Sequence, residues 1–343
     1  MENTAAMPRP AWLTDDDELP HDIGGAPPGW TENYLGNFWD PAAGVGVYVH
    51  LTRRSDPFPL WDEQVLVALP GDRYLTAKGF AAGRDGEGPA VVGIDFRCDE
   101  PYVRWTKRFR GAARLLDGDT YRSAPVGDGP HVFVEWELEY VALSPAFDLG
   151  SEPVDLAWAS RHYEQHHAVR GWLTVGGGER YELSGTGLRD HSWGVRDYAT
   201  VGTTTWLQGQ FVESGRHLML MQVAGYPGRP AFVRGFTGDR TSVVPIAPGE
   251  MPFARTFEEA TADCRIELDR DGECSVLDAR ILAYVHGGFT GPAEIVVGRC
   301  SPADASHHYV EAFTRFEWDG EVGYGMTART VDLQDHTRPE DPR

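Results

Sequence analysis

Long apolar runs are missing from this 343-residue chain, and none reaches the ~18 residues that cross a bilayer. Near the start, where a secretory leader needs an apolar stretch, stands Asp15-Asp16-Asp17-Glu18. Both absences point to a cytoplasmic protein without integral membrane association. Positive charge is short too, with 31 Lys and Arg against 52 Asp and Glu and a formal charge of -21. Such a field repels phosphate backbones and anionic lipid surfaces, which excludes nucleic acid as a partner. Cysteine is limited to Cys98, Cys264, Cys274 and Cys300, with no CxxC pair and no zinc-like spacing, so four reduced thiols and no thiolate metal site are expected. Cys264 and Cys274 lie asymmetrically about the turn signal Asp271-Gly272, which argues against their facing one another. Gly176-Gly177-Gly178 lacks the lysine and the strand-loop-helix setting of a phosphate loop, and no GxSxG elbow or HExxH motif occurs.

What the chain does have is β punctuation. Gly (40) and Pro (24) separate short runs that alternate apolar and polar residues, the period of half-buried strands. Val45, Val47, Val49 and Leu51 fall on one side of such a run, with Gly46, Tyr48 and His50 on the other. Between His131 and Tyr140, Val132, Val134, Trp136 and Leu138 share one face while Glu135, Glu137 and Glu139 share the solvated one. Turn signals at Asp85-Gly86, Asp117-Gly118, Asp271-Gly272 and Asp319-Gly320 favour antiparallel hairpins over βαβ units. Helix is expected only over Pro153 to His162 and, more weakly, Phe257 to Thr261. The Pro- and charge-rich ends, 1–29 and 334–343, are expected to be mobile, and a break near Ser144-Pro145 divides the rest into 30–145 and 146–333. A faint repeat supports two similar halves: Asn37-Phe38-Trp39-Asp40 precedes the strand from Val45 as Gln210-Phe211-Val212-Glu213 precedes the strand from His217.

The densest polar and aromatic segment is Tyr181 to Tyr198, which holds Arg189-Asp190 and Arg196-Asp197 with His191 and Trp193 between them. A carboxylate beside an arginine keeps its charge, and one bonded to an imidazole fixes the ring's tautomer, so Asp190 with His191 forms a candidate acid/base unit. The same residues also suit a brace between sheets, with Trp193 as a plug. Glu164 is a second carboxylate that can face the cavity of Asp190. The neighbouring His162, His166 and His167 do not make a metal site, because adjacent His166 and His167 point oppositely in an extended chain. His307-His308-Tyr309 reads as two faces of one strand, and Tyr324 sits between small neighbours that leave room for a ligand or for a close-packed strand. Among 11 tryptophans, most belong to the core; a few lining a cavity suit a flat or polyene-like apolar ligand.

Tyr163-Glu164-Gln165-His166, followed by Gly185-x-Gly187-x-Arg189-Asp190-His191-Ser192-Trp193-Gly194-x-Arg196-Asp197, resembles an uncharacterised bacterial family with an RDHSWG motif. That family is related to hydroxyneurosporene synthase (carotenoid hydratase), in a broader group that includes lipocalin-like Diels–Alderases and terpenoid cyclases. Asn37-Phe38-Trp39-Asp40-Pro41 and Gly323-Tyr324-Gly325-Met326 resemble its opening and closing strands. The resemblance implies a mostly β fold of two lipocalin-like antiparallel β-barrel domains packed together, holding an isoprenoid or polyketide-like substrate without metal, nucleotide or other cofactor.

On this reading the chain, as monomer or homodimer, protonates, hydrates or cyclises a hydrophobic small molecule. Asp190 and His191 exchange the proton, Arg189 anchors a substrate carbonyl or pairs with Asp197, and Glu164 is a second acid/base group. Trp193, Trp39, Trp206, Trp136 and Tyr324 shape the pocket. A non-catalytic carrier of a hydrophobic molecule is the competing expectation, since a barrel cavity needs only apolar walls to bind.

Overall fold

The computed structural model describes residues 8–56, 58–82, 89–123, 129–149, 159–197, 202–224, 231–248, 251–270, 273–291 and 294–334. They form two compact units: residues 1–118, 127–196 and 239–243 make the first, and 119–126, 197–238 and 244–343 the second.

The first unit contains β1 (Trp30–Asp40), β2 (Val45–Arg54), β3 (Leu60–Leu69), β4 (Arg73–Ala81), β5 (Ile94–Glu100), β6 (Arg104–Asp117), β7 (His131–Ala142), β8 (Phe147–Asp148), β9 (Arg161–Val175) and β10 (Glu179–Val195). Neighbours pair in the order β10-β1-β2-β3-β4-β6-β7-β9, and β9 pairs back to β10, so eight antiparallel strands close a barrel and leave no open edge. Alternation decides what fills it. Val45, Val47, Val49 and Leu51 of β2 point inward with no exposed surface, beside Trp105 and Phe109 of β6 and Trp136 and Leu138 of β7. Each such side chain contributes on the order of 1.5–3 kcal/mol by leaving water. The opposite face of β7 carries the part-exposed Glu135, Glu137 and Glu139, as the sequence requires.

The second unit contains β11 (Thr204–Phe211), β12 (Arg216–Val223), β13 (Phe232–Gly238), β14 (Val243–Pro245), β15 (Ala247–Pro248), β16 (Cys264–Arg270), β17 (Glu273–Gly291), β18 (Glu294–Val297), β19 (His307–Trp318) and β20 (Glu321–Asp332). The sheet order is β14-β13-β12-β11-β20-β19-β17-β16-β15, and the Ile246 N–H donates to Gly235 O at 2.9 Å, bringing the ends of the sheet together. Its own core gathers Leu207, Phe211, Leu220, Ile266, Leu277 and Phe316. The repeat therefore has a structural meaning: hairpin β1–β2 opens the first sheet and hairpin β11–β12 lies within the second. Asp319-Gly320 turns β19 into β20 with both residues at positive φ, 54° and 79°.

Three expectations change. The break does not fall near Ser144-Pro145: β9 and β10 belong to the first unit, because without them its barrel has no closing pair. Residues 8–29 do not behave as a solvated tail. A 3-10 turn, Asp15–Glu18, buries Leu13 and Glu18 against the first barrel. Of the helix expected over 153–162, residues 153–158 lie outside the described residues, and Arg161 and His162 open β9. Beside an unexpected helix α1 (Gly118–Ser123), the second expected helix exists as α2 (Phe257–Ala260), capped by the Thr256 side chain, which accepts from the Glu259 N–H. Asp85-Gly86, Asp271-Gly272 and residues 335–343 also lie outside the described residues. All four cysteines are free, and Cys274 pairs in register with Asp269, not Cys264.

Candidate functional site

Strand β10 runs Arg189-Asp190-His191-Ser192-Trp193, and strand geometry sends successive side chains to opposite faces. Arg189, His191 and Trp193 point toward the barrel interior and its end; Asp190 and Ser192 point outward. The expected Asp190–His191 unit therefore does not form. Each residue has other partners.

On the inner side, Arg189 donates to the Glu18 carboxylate at 2.7 Å and to the Tyr163 hydroxyl at 3.2 Å. Glu18 also accepts from Trp105 Nε1 at 2.7 Å, from the Tyr102 N–H at 3.0 Å and from the Tyr163 hydroxyl. Burial pushes the Glu18 carboxyl upward, but the Arg189 charge and these donors outweigh it and hold it below the ordinary range. Arg189 is thus taken up by Glu18, 171 residues away, rather than by Asp197, which lies beyond the end of β10.

His191 stacks on Tyr34 with ring centroids 4.0 Å apart. Its Nδ1 faces the Asp17 carbonyl at 2.8 Å and its Nε2 faces Glu32 at 3.0 Å. Both acceptors are satisfied together only by the imidazolium form. Burial opposes that form and pushes His191 below the ordinary histidine range against the pull of Glu32. Glu32 also receives His21 Nδ1 at 2.6 Å and Arg53. Burial raises its carboxyl, and the His191 and His21 hydrogen bonds with the Arg53 charge more than reverse this. Trp193 packs on His21 at 4.2 Å and Trp12 at 6.0 Å, so it holds residues 12–21 in place.

On the outer side, Asp190 lies opposite Glu164 in the β9–β10 register, and His162 stands two residues before Glu164. His162 Nε2 is 3.1 Å from an Asp190 oxygen and 3.5 Å from a Glu164 oxygen. Two carboxylates thus converge on one imidazole, all three buried. Burial raises the Asp190 carboxyl, and the His162 hydrogen bond and charge outweigh it, leaving Asp190 ionised. His50 adds a nearby imidazole that burial holds at about 4. The second Asp190 oxygen and His162 Nδ1 have no hydrogen-bond partner among the described residues. Glu164 and Asp190 thus meet at one imidazole; the residue missed is His162, whose even-number phase with Glu164 on β9 was the available signal.

His162–Glu164–Asp190 and His21–Glu32–His191 each present donors within 4.8 Å of one another, of the types that hold a divalent cation. In the second set His191 and His21 already meet Glu32 through hydrogen bonds, whereas in the first only His162 and Asp190 do. His166 and His167 do point oppositely: His166 lies by Phe147 at 5.5 Å and His167 by Tyr140 at 5.8 Å. His308 stacks on His286 while Tyr309 stacks on Phe289, the two faces expected of that strand.

The remaining expected pocket residues are dispersed. Trp39 is on the outer face of β1, whereas Trp136 is inner core, stacked on Phe109 at 6.1 Å. Trp206 (buried) and Tyr324 (half-buried) belong to the second unit, which has a cavity of about 610 Å³ lined by Arg255, Phe257, Arg299, Cys300, Asp304 and His308. Neither lines that cavity. No helix among the described residues is long and apolar enough to cross a membrane.

The profile of a family described as a domain of unknown function, DUF7064, matches residues 14–331. No functionally curated protein matches the sequence. Among solved structures, an AttH-type protein from Nitrosomonas europaea is similar over 89% of this chain and 92% of its own, with TM-score 0.53 and 14% identity. Kievitone hydratase from Nectria haematococca is similar over 93% of each chain, with TM-score 0.54 and 11% identity. CghA is similar over 90% of this chain and 89% of its own, with TM-score 0.54 and 12% identity, and has also been solved with Sch210972. At these identities the likeness establishes the fold, which is the lipocalin-like β architecture expected from the sequence.

Proposed function

We propose that this chain, which belongs to the DUF7064 family, is an acid/base enzyme that protonates, hydrates or cyclises an unsaturated hydrophobic small molecule of isoprenoid or polyketide type. The observation that carries the proposal is the convergence of Asp190 and Glu164 on His162 in a buried position. One proton held among two carboxylates and an imidazole can be given to a substrate carbon and replaced from water at the same place. For hydration, the trio delivers a proton to one alkene carbon; water adds to the other and returns a proton to the trio. For cyclisation, a second double bond takes the place of water and the carboxylate removes a proton at the end. A hydratase and a protein solved with a small-molecule ligand among the fold neighbours agree with this class.

The test is incubation of the purified protein with a panel of isoprenoid and polyketide olefins in D2O, with mass spectrometry reading added water or carbon-bound deuterium. Wild type is expected to give product, and Asp190→Asn and Glu164→Gln to lose about 10²–10⁴-fold in rate with binding retained. A wild type that binds a panel compound yet neither hydrates, cyclises nor exchanges it would be a carrier, and the enzyme reading fails.

A further inference from the structure

The chain's 31 basic side chains include two lysines, Lys78 and Lys107. Lys78 is an ordinary surface group, paired with Asp62 at 3.2 Å. Lys107 is not. It follows Trp105 on the inward phase of β6 and is 1% exposed inside the first barrel. Its Nζ lies over the rings of Tyr140 at 4.4 Å and Phe96 at 4.8 Å, and its one hydrogen bond reaches the Leu35 carbonyl at 3.5 Å. It forms no ion pair among the described residues. Gly36 makes the room: a Cβ there would stand 2.2 Å from Nζ.

Two further polar groups join it. The Tyr140 hydroxyl and His167 Nε2 are buried and have no hydrogen-bond partner among the described residues. His167 Nδ1 meets the Gln165 carbonyl at 2.8 Å, which places the proton on Nδ1 and leaves Nε2 as a lone-pair acceptor. Among the described residues the phenol has no partner, and the amine and the imidazole keep one each, the Leu35 and Gln165 carbonyls, so these buried polar groups stabilise little; a well-packed hydrophobic residue in place of the lysine would cost less. Together they match an amine nucleophile with a proton donor and an acceptor.

We propose that the first barrel holds a second reactive site, in which Lys107 forms an imine with the carbonyl carbon of an apolar aldehyde or ketone. The Nζ lone pair attacks the carbonyl carbon and makes the C–N bond, while the oxygen takes a proton from Tyr140. One amine proton passes through His167 to the same oxygen and the other restores Tyr140; the C–O bond breaks, water leaves and C=N remains. No oxidant or reductant is required. Burial, aided by the nearby Arg189 charge, pushes the Lys107 amine well below its ordinary range, which favours the neutral nucleophile. The site is separate from the Asp190–Glu164–His162 trio, and either can fail without the other.

Trapping tests it directly. The full chain is incubated with trans-cinnamaldehyde and sodium cyanoborohydride at pH 7, and peptide mapping compares the reduced adduct on Lys107 and Lys78. Labelling of Lys107 is expected to exceed that of the more exposed Lys78 by about tenfold or more, because Lys78 is held in an ion pair with Asp62 and has no neighbouring donor and acceptor to assist imine formation. Urea unfolding should erase the difference. Tyr140→Phe should slow the Lys107 adduct, and Lys107→Met should fold with an equal or higher Tm while losing it. Labelling of Lys78 alone, or of Lys107 no faster in native than in unfolded protein, overturns the proposal.

Discussion

The two faces of β10 differ in how fully their polar groups are satisfied. On the inner face, Arg189 and His191 reach Glu18, Asp17 and Glu32 from the first 32 positions of the chain, with Tyr163 a further partner of Arg189, and only Arg189 Nε of these two side chains has no partner among the described residues. On the outer face, Asp190 shares His162 with Glu164 and keeps one oxygen without a hydrogen-bond partner among the described residues. A satisfied buried network fixes structure, whereas a charged group left with unused capacity is suited to exchange protons with something else. A single contiguous motif thus splits into a brace and a proposed acid/base centre by the parity of residue number.

The largest break in this comparison should come on the inner face. Arg189→Met leaves Glu18 buried without its cation and should lower unfolding free energy by about 3–5 kcal/mol, read by urea denaturation. Adding Glu18→Gln should restore much of that loss, which a simple packing defect would not allow. The outer face should answer differently: His162→Gln is expected to lower turnover on a hydrated or cyclised substrate by about 10²-fold or more with a much smaller effect on unfolding.

Acid should act on both units in a defined window. Burial holds His50 at about 4, His308 at about 4 and His286 at about 3, against an unfolded value near 6.5. These rings are neutral when folded, so their contribution is fully present above about pH 6.5 and is lost as the pH falls toward 4. Tm should therefore decline between about pH 6.5 and 4, before the lowered carboxyls Glu18 and Glu32 take up protons below their unfolded values. His21, raised by Glu32 and Asp17 despite burial, acts in the opposite sense and loses its contribution as the pH rises. The smallest effect should follow Ser192→Ala, which removes a 2.9 Å bond from Arg196 but leaves the 3.0 Å bond to the Ser192 carbonyl; about 1 kcal/mol is expected.

The barrel strands were legible because a side chain's period of two is written directly in runs such as Val45 to Leu51. Glu164 beside Asp190 was legible for the same reason, once both were taken as carboxylates near one cavity. The pairing of Asp190 with His191 failed on the very rule that separated His166 from His167: neighbours on a strand face apart. Asp15 to Glu18 resembled a solvated acidic run because nothing local reveals that Glu18 meets Arg189, 171 residues later. Lys107 shares the phase of Trp105 and Phe109 along its run, but a lysine beside Arg108 gives no local sign that it turns inward. The division at Arg196 was hidden because barrel closure depends on a strand pairing with the first one, and register across such distances is not a local property.

The division of labour along β10 is tested most directly by Asp190→Asn, with equilibrium unfolding and deuterium incorporation into an olefin measured on the same preparation. The expected result is an unfolding free energy within about 1 kcal/mol of wild type and incorporation reduced by about 10²-fold or more. A variant that unfolds as readily as Arg189→Met, or one that keeps full incorporation, would contradict it and return the whole motif to the role of a brace.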